Sequence, residues 1–188
     1  MNSSIPVPMS RLDDLAQQFE AHVSLPWQKN LAGAERIIFC VYPKEEERRL
    51  RIKLKDFETR AIRGGHPWVE LDLTNAFAEW MAAQDYREEY FKHPEDMHIQ
   101  LEEEFPRACA ERIAAVLDDP AVTTEHVVAV YGVGALFGFT RLHHVLGMID
   151  SKIKGRLAVF FPGRTEANKY HLLDGPDGWS YLATPITC

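Results

Sequence analysis

Residues 126–164, HVVAVYGVGALFGFTRLHHVLGMIDSKIKGRLAVFFPGR, set two apolar runs on either side of a glycine-rich corner and an amphipathic stretch. A run that is apolar at every position, such as residues 157–161, suits a strand covered on both faces, and such strands belong to parallel sheets flanked by helices. Between the runs, Phe139, Leu142, Val145, Leu146 and Ile149 recur on one side of a helix at ~100° per residue, while Thr140 and His144 point away. The stretch therefore reads as one parallel βαβ unit whose helix packs on the sheet by a single face. Its first strand ends near Tyr131 and turns through Gly132, Gly134 and Gly138 into the helix, a geometry in which free N–H groups at a helix N-terminus can hold an anion.

The rest of the chain extends this pattern. Residues 1–9 contain Pro6 and Pro8 and read as a loose arm, within an N-terminal helical arm spanning 1–30. Ser10 then caps a helix with Leu12, Leu15, Phe19 and Val23 on one face. Residues 36–42, RIIFCVY, make a strand that Pro43 ends. Residues 45–62 alternate locally like a strand, yet Leu50, Leu54, Phe57 and Ala61 repeat at helical spacing without glycine or proline, so a helix is expected, closed by Gly64 and Gly65. Residues 67–73 make the next strand, with Thr74 as N-cap of a helix carrying Ala76, Phe77, Trp80 and Met81. Residues 83–119 are expected to form a helical insertion in two or three pieces, divided at Pro94 and Pro106, with Ile113, Val116 and Leu117 on its last piece. Residues 170–173 and 179–182, joined by Gly-Pro-Asp-Gly, suggest a C-terminal β-hairpin at one edge of the sheet. The fold class is α/β: a mainly parallel sheet with helices on both faces, Rossmann-like or P-loop-like without a P-loop, formed by one domain over 1–188.

Composition narrows the function. A length of 188 residues, 46% apolar and 26% charged, suits one ordinary globular core. No apolar segment reaches the ~20 residues of a membrane span, and the first residues lack the order of a signal peptide, so a cytoplasmic protein is expected. A formal charge of −7 disfavours direct binding to duplex DNA. Cys40, Cys109 and Cys188 have neither disulfide-framework nor zinc-site spacing.

No catalytic constellation emerges. The glycines of GVGALFG miss the GxGxxG spacing, no glycine-lysine-serine/threonine run exists for a Walker A loop, and no GxSxG marks a nucleophile elbow. His143 and His144 are adjacent and diverge by ~100° on a helix, so they cannot share one ion. The run at residues 44–55, KEEERRLRIKLK, reads as a solvated helix face. The FPGR corner, residues 161–164, places Arg164 at the carboxyl edge of a parallel sheet, where open α/β folds bind ligands, and Tyr131, Gly132 and Gly134 end the neighbouring strand at the same edge. Arg164 is weighed there against simple pairing with a nearby carboxylate. No metal or cofactor is called for.

The block VVAVYGVGALFGFTRLHHVLGMI followed by LAVFFPGR, preceded by IIFCVYP and followed by a tyrosine-containing hairpin, resembles the BREX protein B family of bacterial phage-exclusion systems. The resemblance covers the framework from about residue 35 onward and is carried by Gly132, Gly134, Arg141 and Phe161 to Arg164. It implies membership of a multi-gene system that blocks phage replication and methylates host DNA. Within it, the resemblance implies a small accessory subunit, associated with other subunits and most of all a PglZ-type phosphatase-like protein. Ligand or partner binding is expected at Tyr131, Gly132, Gly134, Arg141 and Arg164. The competing reading is a small nucleotide- or anion-binding enzyme or sensor that uses the glycine-rich corner and Arg164.

Overall fold

The computed structural model describes residues 10–167, 169–176 and 178–188; the arm at residues 1–9 lies outside them. Helix α1 (Arg11–Val23) starts at Ser10, whose hydroxyl caps Asp13 N while the Asp13 carboxylate returns to Ser10 N, a reciprocal capping box. Strand β1 (Ile37–Tyr42) is buried at every position. Helix α2 (Glu47–Arg63) buries Leu50, Leu54, Phe57 and Ala61, the stripe that its spacing predicts. Strand β2 (Trp68–Asp72) leads to the short helix α3 (Ala76–Ala82). Helix α4 (Arg87–Lys92), a 3-10 turn at Pro94–Met97 and a π turn at Gln100–Glu104 then precede helix α5 (Phe105–Asp118). Pro94 and Pro106 both sit in first turns, where the missing N–H leaves nothing unsatisfied. Strand β3 (Val127–Tyr131), helix α6 (Leu142–Gly147), strand β4 (Arg156–Glu166) and strands β5 (Lys169–Leu172) and β6 (Thr184–Thr187) complete the described chain.

The sheet runs β2-β3-β4-β1-β6, every neighbouring pair on this path being parallel, and β5 adds antiparallel to the end of β4. Alternate residues divide the core in two. Ile38, Cys40, Tyr42, Ala158 and Phe160 face α1 and α2, while Ile37, Phe39, Val41, Val159 and Phe161 face the layer containing α3, α5 and α6. Helices thus cover both faces, as the buried strand runs require. α5 belongs to this second core through Phe105, Cys109, Ala110, Ile113 and Leu117, so the last piece of the helical middle is the crossover from β2 to β3.

Four local expectations change. Helix α3 is entered through Asn75 and not Thr74, whose hydroxyl is taken up by Asp72 and Arg51. The helix expected to carry Phe139 to Ile149 is shorter: Gly132 adopts φ 76, a 3-10 turn covers Val133–Leu136, Gly138 adopts φ 84, and α6 spans only Leu142–Gly147. Leu142, Val145, Leu146 and Ile149 are nevertheless buried, and Phe139 stacks on Phe77 with ring centroids 3.8 Å apart. β4 does not stop at Pro-Gly-Arg but runs on to Glu166 and folds back into β5. Gly163 permits this crossing, because a Cβ there would stand 2.0 Å from the His171 carbonyl oxygen. The hairpin expected across Gly-Pro-Asp-Gly is accordingly reduced: among the described residues its antiparallel pairing is the Tyr170–Trp179 bridge, and the extended hairpin is β4–β5.

Candidate functional site at the carboxyl edge of the sheet

Parallel α/β sheets offer ligands the crevice outside their carboxyl ends, at the point where outgoing connections diverge to opposite faces. Here that point lies between β1 and β4. α2 leaves β1 over one face, whereas β5 and the residues after it leave β4 over the other. The chain itself occupies the opening. Leu173 N donates to the Pro162 carbonyl at 2.8 Å, and Lys44 after β1 pairs with Asp174. Tyr170 Oη donates to the Ala183 carbonyl at 3.0 Å, tying β5 to the approach to β6.

Next to this plug, β2 and β3 end side by side, with Asp72 in register with Tyr131. Asp72 Oδ1 accepts from Thr74 N at 2.8 Å and from the Thr74 hydroxyl, and Leu73 N donates to the Tyr131 carbonyl. The tight turn at Gly132 fits against this knot: a Cβ there would stand 2.4 Å from Thr74 Oγ1, 2.6 Å from Thr74 N and 2.7 Å from Asp72 Oδ1. Arg51 of α2 reaches down to it, donating to Thr74 Oγ1 at 2.7 Å and Glu47 Oε1 at 2.9 Å, and lying 3.7 Å from Asp72 Oδ2. Its guanidinium also sits over the Tyr131 ring, 5.8 Å from the centroid. Glu47 in turn accepts from Tyr42 Oη. A polar chain Tyr42–Glu47–Arg51–Thr74–Asp72 therefore links β1, α2 and β2 over the end of β3.

The electrostatics of this chain are balanced. Burial, followed by the neighbouring Glu47, pushes the Tyr42 phenol well above its usual range, and burial with Asp72 and Glu70 raises that of Tyr131. Both remain protonated donors at neutral pH. A groove of about 480 Å³ opens between α2 and the edge strand β2, lined by Arg51, Leu54, Lys55, Glu58, Trp68, Glu70 and Tyr131. Arg51 is held by Glu47 and Asp72, and Lys55 by Glu58 at 2.5 Å, so each cation already has a carboxylate.

The five residues singled out from the sequence are distributed unevenly over this edge. Tyr131 lines the groove. Gly132 packs on Asp72 and Thr74, and a Cβ on Gly134 would lie 3.2 Å from Pro162 and 3.6 Å from Leu173. Neither arginine is among those closest neighbours. Arg141 is exposed and precedes α6, its carbonyl accepting from His144 N at 3.0 Å. Arg164 is about half exposed, opposite His171 on the β4–β5 hairpin, with Glu166 4.0 Å away. The corner also starts no α-helix: Ala135 N and Phe137 N are spent on the Gly132 and Gly134 carbonyls within the 3-10 turn. At these two positions turn hydrogen bonds use the N–H groups that the glycine corner could have offered to an anion. Arg51, Asp72, Thr74 and Glu47 were not anticipated. Their sequence signals are the Asp-Leu-Thr at the end of β2 and two residues, Glu47 and Arg51, within a charge run read as solvated.

Fold and edge together define an open, mainly parallel α/β protein whose ligand crevice is closed by its own chain. The chain belongs to a bacterial phage-defence family: the family model described as BREX protein BrxB matches residues 69–184, from β2 to the first residue of β6, and includes the glycine corner, α6 and the β4–β5 hairpin. It is thus a component of a BREX phage-defence system. Comparison with curated proteins and with solved structures returned no match. No helix among the described residues is long and apolar enough to cross a membrane.

Proposed function

We propose that the chain is a non-catalytic accessory subunit of its BREX system, acting in the cytoplasm by binding other subunits, foremost a PglZ-type phosphatase-like protein. The observation that carries this reading is the closed switch point: Leu173, Pro162 and the Lys44–Asp174 pair fill the place where a related sheet would hold a ligand. Matched charges in the neighbouring groove support it, since an anion there would have to displace Glu47, Asp72 or Glu58 from its cation. The acidic net charge agrees with joining a protein assembly rather than coating DNA.

Mixing the purified chain with the PglZ-type subunit of the same system at micromolar concentration tests the reading. A stable complex in size-exclusion chromatography with light scattering is expected. Separate elution removes the proposed partnership. Tight nucleotide binding lost in Arg164→Ala would move the function to the sensor reading.

A further inference from the structure

A second groove lies on the opposite layer of the sheet. α3 and α5 pack side by side and leave a depression of about 400 Å³ whose apolar lining comes from Ala76, Trp80, Phe105, Ala108, Cys109 and Ala115. The Glu79–Arg112 ion pair, 2.8 Å, and Glu111 stand beside it. Ala108 and Ala115 keep its rim low enough for a helix backbone to approach and half-buried Trp80 offers aromatic surface for anchoring side chains, while Ala76, Phe105 and Cys109 form its buried floor. The segment joining the two helices exposes further apolar groups, Tyr86, Phe91 and Ile99.

Charge specifies the occupant. Residues 79–119 contain 12 acidic and four basic side chains, a net −8, whereas the whole chain carries −7. The entire negative excess is therefore concentrated on the helical segment that builds this groove, and the remainder of the protein is close to neutral. Glu111 and the Glu79–Arg112 pair at the groove belong to this acidic segment, and an apolar depression on it complements an amphipathic helix whose apolar stripe is bordered by lysine and arginine. We propose that the α3–α5 groove docks such a basic amphipathic helix from a partner protein. This deepens the assembly reading and rests on it, adding the chemistry and the place of contact.

The test uses a fluorescein-labelled helical peptide of about five turns, with leucine at i, i+4 and i+7 positions flanked by lysine and arginine. A second peptide keeps the leucines and exchanges every basic residue for glutamate. Anisotropy with the full chain is expected to show saturable binding of the basic peptide, at least about tenfold tighter than the acidic one and weakened by salt. Ala115→Arg, at an exposed helical position, should weaken binding about tenfold while leaving the melting temperature unchanged. Hydrogen exchange should slow over α3 and α5.

Absence of binding, equal affinity for both peptides, or indifference to Ala115→Arg overturns the proposal. So does a concentration-dependent dimer abolished by the same substitution, which would assign the groove to a second copy of this chain. The two readings separate cleanly. A peptide that docks while the PglZ-type subunit elutes alone keeps the groove and removes that subunit. A complex with the subunit that is untouched by Ala115→Arg keeps the subunit and removes the groove.

Discussion

Replacing Gly132 by alanine separates a packing glycine from a ligand-binding one. The residue sits at φ 76, and a methyl group there would meet Thr74 Oγ1 at 2.4 Å and the Thr74 backbone nitrogen at 2.6 Å. The left-handed conformation alone costs an alanine about 1 kcal/mol. The collision adds about 1–3 kcal/mol, because Thr74 N is backbone pinned by Asp72 and cannot swing aside. A total of roughly 3 kcal/mol corresponds to a fall in Tm of about 6–12 °C for a chain of this length. Gly138→Ala is the internal control: its φ is 84, but nothing lies within 4 Å of the added methyl. Only the conformational cost of about 1 kcal/mol applies, a drop of roughly 2–4 °C. Urea denaturation of the two variants beside wild type gives both values. Equal destabilisation would refute the assignment of Gly132 to the Asp72–Thr74 knot and reopen its use for a ligand.

Other outcomes follow from the same contacts. Phe39→Ala should cost about 3–5 kcal/mol in urea denaturation, because its fully buried ring meets Phe161, Tyr170, Trp179 and Tyr181; a loss under 1 kcal/mol would contradict the aromatic core under β5. With a thiol reagent at pH 8, exposed Cys188 should react first, at a rate slowed by the partial burial that raises its thiol, and Cys40 and Cys109 only on unfolding, since burial raises the Cys40 thiol far above its normal range and that of Cys109 to about 11. Asp13 is held at about 2, against 3.8 for a free aspartate, by Lys53 and then by Ser10. Its contribution is therefore present above pH 3.8 and lost as pH falls through about 2; discounted for its partial exposure, Asp13→Asn should cost about 1 kcal/mol at pH 7, and that cost should fade as the pH falls below about 2.

The parts of the fold legible in the sequence are those governed by local repetition. The uninterrupted apolar runs of β1, β3 and β4 announce strands buried on two faces, and Leu50, Leu54, Phe57 and Ala61 outweigh the short alternation around Ile52, which is exposed. What escaped depends on long-range pairing. β6 is only Thr184–Thr187 and contains Pro185, a residue that argues against a strand; at the sheet edge its missing N–H is harmless. Pro162 and Gly163 read as a stop, yet Pro162 closes the pairing of β4 with β1, opposite Tyr42, while Gly163 lets β5 cross. By spacing the glycines around residue 132 favour a tight turn over an anion cradle, without deciding between them. Only the approach of Asp72 and Thr74, about sixty residues earlier in the chain, distinguishes the two. Arg51 stayed hidden for a related reason, since its role depends on β2 and β3 ending beneath α2.

The central claim is that this BREX component works by binding protein and not by holding a small ligand at the carboxyl edge of its sheet. One calorimetric comparison tests it most directly: the same preparation is titrated with the PglZ-type subunit and, separately, with nucleoside triphosphate. The account predicts saturable heat at micromolar concentration with the protein and none with the nucleotide. Nucleotide binding at micromolar concentration that disappears in Arg164→Ala, with no heat from the subunit, would contradict it.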